Sequence, residues 1–104
     1  MKIIYKYPLT SNNCILEVPF RCHVLSIQFD STGELCMWAL HEIADQLVVK
    51  YQLLVLATGQ GTDEPLAEML THDDLSPSAN PYYYHQTVVN QNGVWHVFMR
   101  QLVE

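Results

Sequence analysis

Over most of the chain, hydrophobic and polar positions alternate with a period of two, which puts successive side chains on opposite faces of a strand. Ile3 to Leu9 reads as a first strand ending near Pro8, and Cys14 to Val18 as a second stopped by Pro19. Proline is tolerated at such ends because no ladder donor is needed there. From His23 to Asp30, Val24, Ser26 and Gln28 alternate with Leu25, Ile27 and Phe29, which predicts that the second set faces the core. Ser31-Thr32-Gly33 turns into Leu35 to Glu42, whose two alternating sets are both apolar, as in a strand covered on both faces. After a short connection at 43–46, Leu47 to Thr58 forms a long strand that stops at Gly59-Gln60-Gly61.

The period then changes. Leu66, Met69 and Leu70 recur at helical spacing, with Thr62 or Asp63 as the cap and Pro65 in the first turn. The residues from Thr71 to Pro81 are too rich in Asp, Ser, Pro and Asn for regular structure, and so long a connection inside a compact domain is usually functional.

Two strand-forming runs in the last fifth flank Asn92-Gly93, the strongest short-range hairpin signal, since a type I′ turn needs positive φ at both central residues. A turn centred there pairs Val89 with His96, Thr87 with Phe98 and His85 with Arg100 on one face. The other face holds Asn90 with Trp95, Val88 with Val97, Gln86 with Met99 and Tyr84 with Gln101, and its apolar content makes it the core side. The expected fold is therefore mainly β. It is an antiparallel sandwich or curled sheet of about six or seven strands with one short helix, a single domain over 1–104 with an acidic helix and loop insertion at 62–81.

Composition narrows the chemistry. With 49% hydrophobic and 15% charged residues, the 104-residue chain can bury a core without staples. The net charge of −6, eleven acids against five Lys and Arg, disfavours direct nucleic-acid binding, because no basic patch is available to release counterions. Cys14, Cys22 and Cys36 are odd in number and lack C-x-x-C spacing, and no signal-peptide pattern opens the chain, so a reducing compartment is expected. Those thiols and the five histidines form no metal motif, so neither metal nor cofactor is expected. The run from Leu53 to Ala57 is far too short to span a membrane.

Three features stand apart from plain core and turn. The acids Asp63, Glu64, Glu68, Asp73 and Asp74 crowd into twelve residues unrelieved by Lys or Arg, and can steer a basic protein partner; otherwise they form a solvated loop that keeps the chain soluble. Tyr82, Tyr83 and Tyr84 put rings on both faces of a strand, so at least one is exposed at low entropic cost to binding. The third is a ligand surface on His85, His96 and Arg100, able to hold a phosphate or carboxylate, together with the Gly59 and Gly61 turn ahead of the helix. That turn lacks the endings of the P-loop and dinucleotide fingerprints, and its neighbours Asp63 and Glu64 repel anions. No nucleophile, base and orienting group follow a catalytic order, so no enzyme is expected.

The segments Lys2-Ile3-Ile4-Tyr5-Lys6-Tyr7, His23-Val24-Leu25-Ser26-Ile27-Gln28, Leu35-Cys36-Met37-Trp38-Ala39-Leu40, Ala57-Thr58-Gly59-Gln60 and Val94-Trp95-His96-Val97-Phe98 together resemble a family of small uncharacterised bacteriophage proteins. The resemblance covers roughly four-fifths of the chain. It implies a phage product in the host bacterial cytoplasm and no site residues. The acidic stretch from Thr62 to Pro81 departs from that pattern, which makes it the place to expect a specific function. The expectation is a non-enzymatic accessory protein that binds a host bacterial protein and inhibits a defence system, with Asp63, Glu64, Glu68, Asp73, Asp74, Tyr82 and Tyr83 at the contact. The alternatives are sequestration of a nucleotide signal and a small virion or assembly component, either of which could involve a homo-oligomer.

Overall fold

In the computed structural model, which describes residues 1–44, 47–72 and 80–102, seven strands form two antiparallel sheets. One sheet has the order β1-β4-β3, from β1 (Lys2–Pro8), β3 (His23–Phe29) and β4 (Leu35–Glu42). The other runs β2-β5-β7-β6, from β2 (Asn13–Pro19), β5 (Val48–Ala57), β6 (Tyr83–Asn90) and β7 (Gly93–Leu102). Helix α1 (Glu64–Thr71) lies between β5 and β6 in the chain.

The sheets pack face to face because alternation gives each one apolar side. Ile27, Met37 and Ala39 from the first sheet meet Val18, Leu53, Val55, Val88 and Val97 from the second, all buried. Both prolines end their strands, as expected, and Leu9 is buried at the β1–β2 crossing, where its amide donates to the Leu35 carbonyl at 2.9 Å. The expectation for β4 is met on its inner side by Met37 and Ala39, while on the outer side Cys36 is buried and Trp38 and Leu40 are half-buried.

Strand β3 departs from simple alternation. Its pairing with β4 shifts between Val24 and Ser26, so Val24 packs on the core and Leu25 turns outward, contrary to expectation, while Ile27 and Phe29 face the core as expected. A bulge inserts one extra residue and reverses the faces on either side of it.

The last hairpin is present but slipped by two residues. Asn90 pairs with Gly93, Val88 with Trp95, Thr87 with His96 and Gln86 with Val97, so the loop is Gln91-Asn92 rather than Asn92-Gly93. Asn90 decides this, since its side chain accepts from the Asn92 amide at 2.7 Å and starts the turn one residue early. Positive φ is then confined to Gly93, at +157°. A slip of two keeps every side chain on its expected face, so Val88, Trp95, Val97 and Met99 do face the core. Upstream of Gln86 a second bulge intervenes, and pairing resumes as Tyr84 with Phe98 and Tyr83 with Met99. This exchanges the expected positions of Tyr84 and His85.

Candidate functional site

Helix α1 begins where the sequence predicts. Asp63 is the N-cap, its carboxylate accepting from the Leu66 amide at 2.9 Å, and Pro65 sits in the first turn. Leu66, Met69 and Leu70 pack on Leu54, Leu56, Phe98 and Tyr82 across the outer face of the four-stranded sheet. The helix ends at His72, whose left-handed φ of 61° closes it and whose Nε2 lies 2.6 Å from the Tyr82 carbonyl oxygen. Its solvent side carries Glu64 and Glu68, one helical turn apart and both exposed. Of the acidic run, then, Asp63 serves the cap and Glu64 and Glu68 are open to solvent, while Asp73 and Asp74 lie outside the described residues.

The tyrosines divide sharply. Tyr82 is buried beneath the helix, with the Arg100 guanidinium 4.4 Å from its ring centroid, so its ring is not a contact surface. Tyr83 is 60% exposed and meets the His72 ring edge-on at 4.8 Å. Tyr84 is 59% exposed and packs its ring edge against Phe98 at 5.9 Å. Tyr84 thus packs on the outer face that the helix covers, while Tyr83 stands at the C-terminal end of the helix and lines a cleft.

Of His85, His96 and Arg100, the first and last line one cleft and His96 stands apart. On the outer face, Nε2 of His96 lies 2.7 Å from the Thr58 hydroxyl and Nδ1 lies 3.1 Å from that of Thr87, which also contacts the Tyr84 hydroxyl at 2.6 Å. Arg100 donates from Nε and Nη2 to Oε1 of Gln52 and from Nη1 to the Asn80 carbonyl. Both side chains hold strands together. The Gly59 turn is a strand stop: Gly59 has φ +89°, and Gln60 accepts from the Ala57 amide through Oε1 while its own amide donates to the Ala57 carbonyl. Gly61 has nothing within 4 Å of where a Cβ would stand, so no close backbone approach requires glycine there.

His85 lies apart from His96. The β6 bulge turns it into a cleft of about 510 Å³ at the mouth of the sandwich, with Val24 of β3, Tyr51 of β5, Met99 of β7 and Tyr83 as walls. Nδ1 of His85 is buried and has no hydrogen-bond partner among the described residues. Burial holds its pKa below the ordinary histidine value, opposed in part by a hydrogen bond with the Gln86 side chain. Sequence alternation misses this cleft because its walls come from four strands, β3, β5, β6 and β7.

One juxtaposition among metal-ligating groups also escapes the sequence: ligand atoms of Asp30, Glu34 and Cys36 lie within 4.8 Å of one another. The Asp30 carboxylate is already engaged there by Nζ of Lys6 at 2.7 Å, by the Thr32 hydroxyl and by the Thr32 and Glu34 amides. That pattern is a closed β3–β4 turn.

A family model described as a domain of unknown function, DUF7352, matches residues 1–104. The chain belongs to the DUF7352 family. No curated protein and no solved structure matches it. In this DUF7352 chain no helix among the described residues is long and apolar enough to cross a membrane.

Proposed function

We propose that this protein is a non-enzymatic binding module that captures another protein through the surface where α1 meets the start of β6. One observation carries the reading: Glu64 and Glu68 stand exposed on a helix without Lys or Arg, whose closing residue His72 meets the exposed Tyr83 ring and beneath which Phe98 meets the exposed Tyr84 ring. Carboxylates steer a basic partner toward the surface, and rigid tyrosine rings supply contact area at small entropic cost. In the sequence, Asp73 and Asp74 belong to the same run of acids. The specific setting, a bacteriophage accessory protein acting on a host defence factor in the bacterial cytoplasm, rests on the resemblance of the strand segments to phage proteins.

The test is capture from bacterial lysate by the tagged full chain, followed by reconstitution with the purified partner. Glu64→Gln, Glu68→Gln, Asp73→Asn and Asp74→Asn together are expected to weaken that complex at least tenfold and to flatten its dependence on salt. Asp63 is left intact because it caps the helix. An unchanged affinity in the fourfold variant would remove the acidic surface as the contact.

A further inference from the structure

Lys and Arg are few and scattered along the sequence, but the fold gathers some of them with histidine. A pocket of about 270 Å³ is lined by Lys2 of β1, by Arg21, by His23 at the start of β3, and by Leu40, His41 and Glu42 of β4. Strand register decides which of these side chains share a face. Lys2 pairs with Glu42 and His23 with Leu40, so the central strand β4 carries Lys2 on one flank and His23 on the other. Residues directly opposite in a ladder lie on the same face, and so do Leu40 and Glu42, two apart on one strand. Met37 and Ala39 face the core, so the shared face is the outer one. Lys2 and His23 therefore stand two strand spacings apart, roughly 10 Å across the sheet, with Leu40 and Glu42 between them. His41 belongs to the inner face, where its ring is committed to the Tyr7 hydroxyl at 3.3 Å, to the Glu42 carbonyl at 3.0 Å and to a stack on Tyr5.

The polar groups of this face select the ligand. Neither the Lys2 ammonium nor the His23 ring has a hydrogen-bond or ion-pair partner among the described residues. The one carboxylate among the described residues of the lining, Glu42, is held by the Met1 amino group at 2.9 Å. Arg21 is already engaged and adds its charge to the lining. An oxyanion set between Lys2 and His23 accepts from both, and bonds between an ammonium and an anionic oxygen are of the stronger, charge-assisted kind. The space lies just below the roughly 300–1,000 Å³ of sites for drug-sized molecules, which suits a small group. A tetrahedral phosphate presents an oxygen to each donor and carries more charge than a carboxylate. The overall charge of −6 repels such a ligand everywhere else, so saturable binding requires a local site of this sort.

We propose that the outer face of the three-stranded sheet holds a binding site for a phosphate group, free or as a monoester, between Lys2 and His23. Helix α1 covers the outer face of the other sheet. This site is therefore separate from the Glu64 and Glu68 surface, and either can fail without the other.

The experiment titrates the full chain with inorganic phosphate, glycerol phosphate, glycerol and acetate, at neutral pH and at an ionic strength held constant with chloride so that screening is the same throughout. Binding is followed by calorimetry and by the imidazole ¹⁵N resonances of the histidines. Inorganic phosphate, glycerol phosphate or both are expected to saturate and to shift the resonances of His23 while leaving those of His96 in place, and glycerol is expected to do neither. Tighter binding of the ester identifies a monoester as the ligand, and equal or tighter binding of inorganic phosphate identifies the free ion. Lys2→Gln and His23→Gln should each weaken binding about fivefold, and Lys50→Gln, on the other sheet, should leave it within about twofold. Absence of saturation at tens of millimolar of either phosphate, or saturation that leaves His23 unmoved, would overturn the site. Acetate binding as tightly as phosphate would overturn its assignment to a phosphate group. The resonance measurement uses the unmodified protein and so stands even if a variant does not fold.

Discussion

The side-chain amide of Gln86 pairs with the backbone of Ile27 in both directions, Nε2 donating to its carbonyl at 2.6 Å and Oε1 accepting from its amide at 3.0 Å. Gln86 belongs to edge strand β6 of one sheet and Ile27 to edge strand β3 of the other. One side chain thus stands in for a neighbouring strand and pins the two sheets together along this side. Gln86→Leu keeps an apolar body but leaves both Ile27 groups without their partner. It should cost about 1–3 kcal/mol in denaturant unfolding, with faster exchange at the Ile27 amide. Unchanged exchange at Ile27 would show that the pairing contributes nothing.

Gly93 is required twice over. Its φ of +157° is one that side-chain-bearing residues rarely adopt, and a Cβ there would stand 3.3 Å from Cη2 of Trp95. Gly93→Ala should therefore destabilise by about 1–3 kcal/mol and disturb the near-ultraviolet signal of Trp95, whose ring packs edge-on to Phe29 at 5.3 Å. Asn92→Ala, at the neighbouring position that the Asn-Gly signal singles out, should cost much less, since Asn92 does not carry positive φ. Equal losses at the two positions would contradict the slipped register.

For Asp63 the expected effect is local. Asp63→Ala removes the acceptor of the Leu66 amide and should cost about 1 kcal/mol, with loss of exchange protection in the first turn of α1. Asp63→Asn keeps an acceptor and should retain most of that protection. The comparison separates the capping role of this carboxylate from the charge of Glu64 and Glu68, which the same helix carries without structural duty.

The contrast between Asp63 and His85 shows how far the sequence could be read. Whatever depends on local chemistry was legible: seven strands, their prolines and turns, the α1 cap and the apolar helix face on Leu54 and Leu56. The faces of the last hairpin survived a wrong register because the error was an even number of residues. What depends on bulges was not legible. Leu25 and Val24 exchange roles in β3, Tyr84 and His85 do so in β6, and no composition signal marks either site. Tyr82, named with Tyr83 as a contact, lies in the interior, while His85 and Arg100, named with His96 as a ligand surface, line one cleft whose other walls the sequence did not indicate.

Asp30 carries a dependence on acid. Its pKa is held well below the usual carboxylate range, first by the Lys6 ammonium and then by the Thr32 hydroxyl and the Glu34 amide. A depressed folded-state pKa means that the unfolded chain binds the proton more readily. The contribution of Asp30 is thus fully present above the unfolded value near 3.9 and is lost as pH falls through the folded one. Lys6, raised chiefly by the same hydrogen bond, behaves in the opposite sense, its contribution being lost only as pH rises past the ordinary lysine range. Asp30→Asn should lower the Tm at neutral pH, and its curve should converge on that of the parent protein in strong acid. Parallel curves down to the lowest pH would show that the pair does not stabilise the fold.

His85 should give the second pH signature, in a different window. Burial lowers its pKa, so the folded protein favours the neutral ring while the unfolded chain titrates near 6.5. Stability from this group is present above that unfolded value and is lost as pH falls through the lower folded one. Among the described residues, the other titratable or charged groups lining the cleft are Tyr51, Tyr83 and Arg100. Between pH 7.5 and 5 the parent protein should therefore lose more stability than His85→Phe, in which no proton is taken up at this site. A stability difference between parent and His85→Phe that does not change with pH would show that the ring is as free to protonate in the fold as in the unfolded chain.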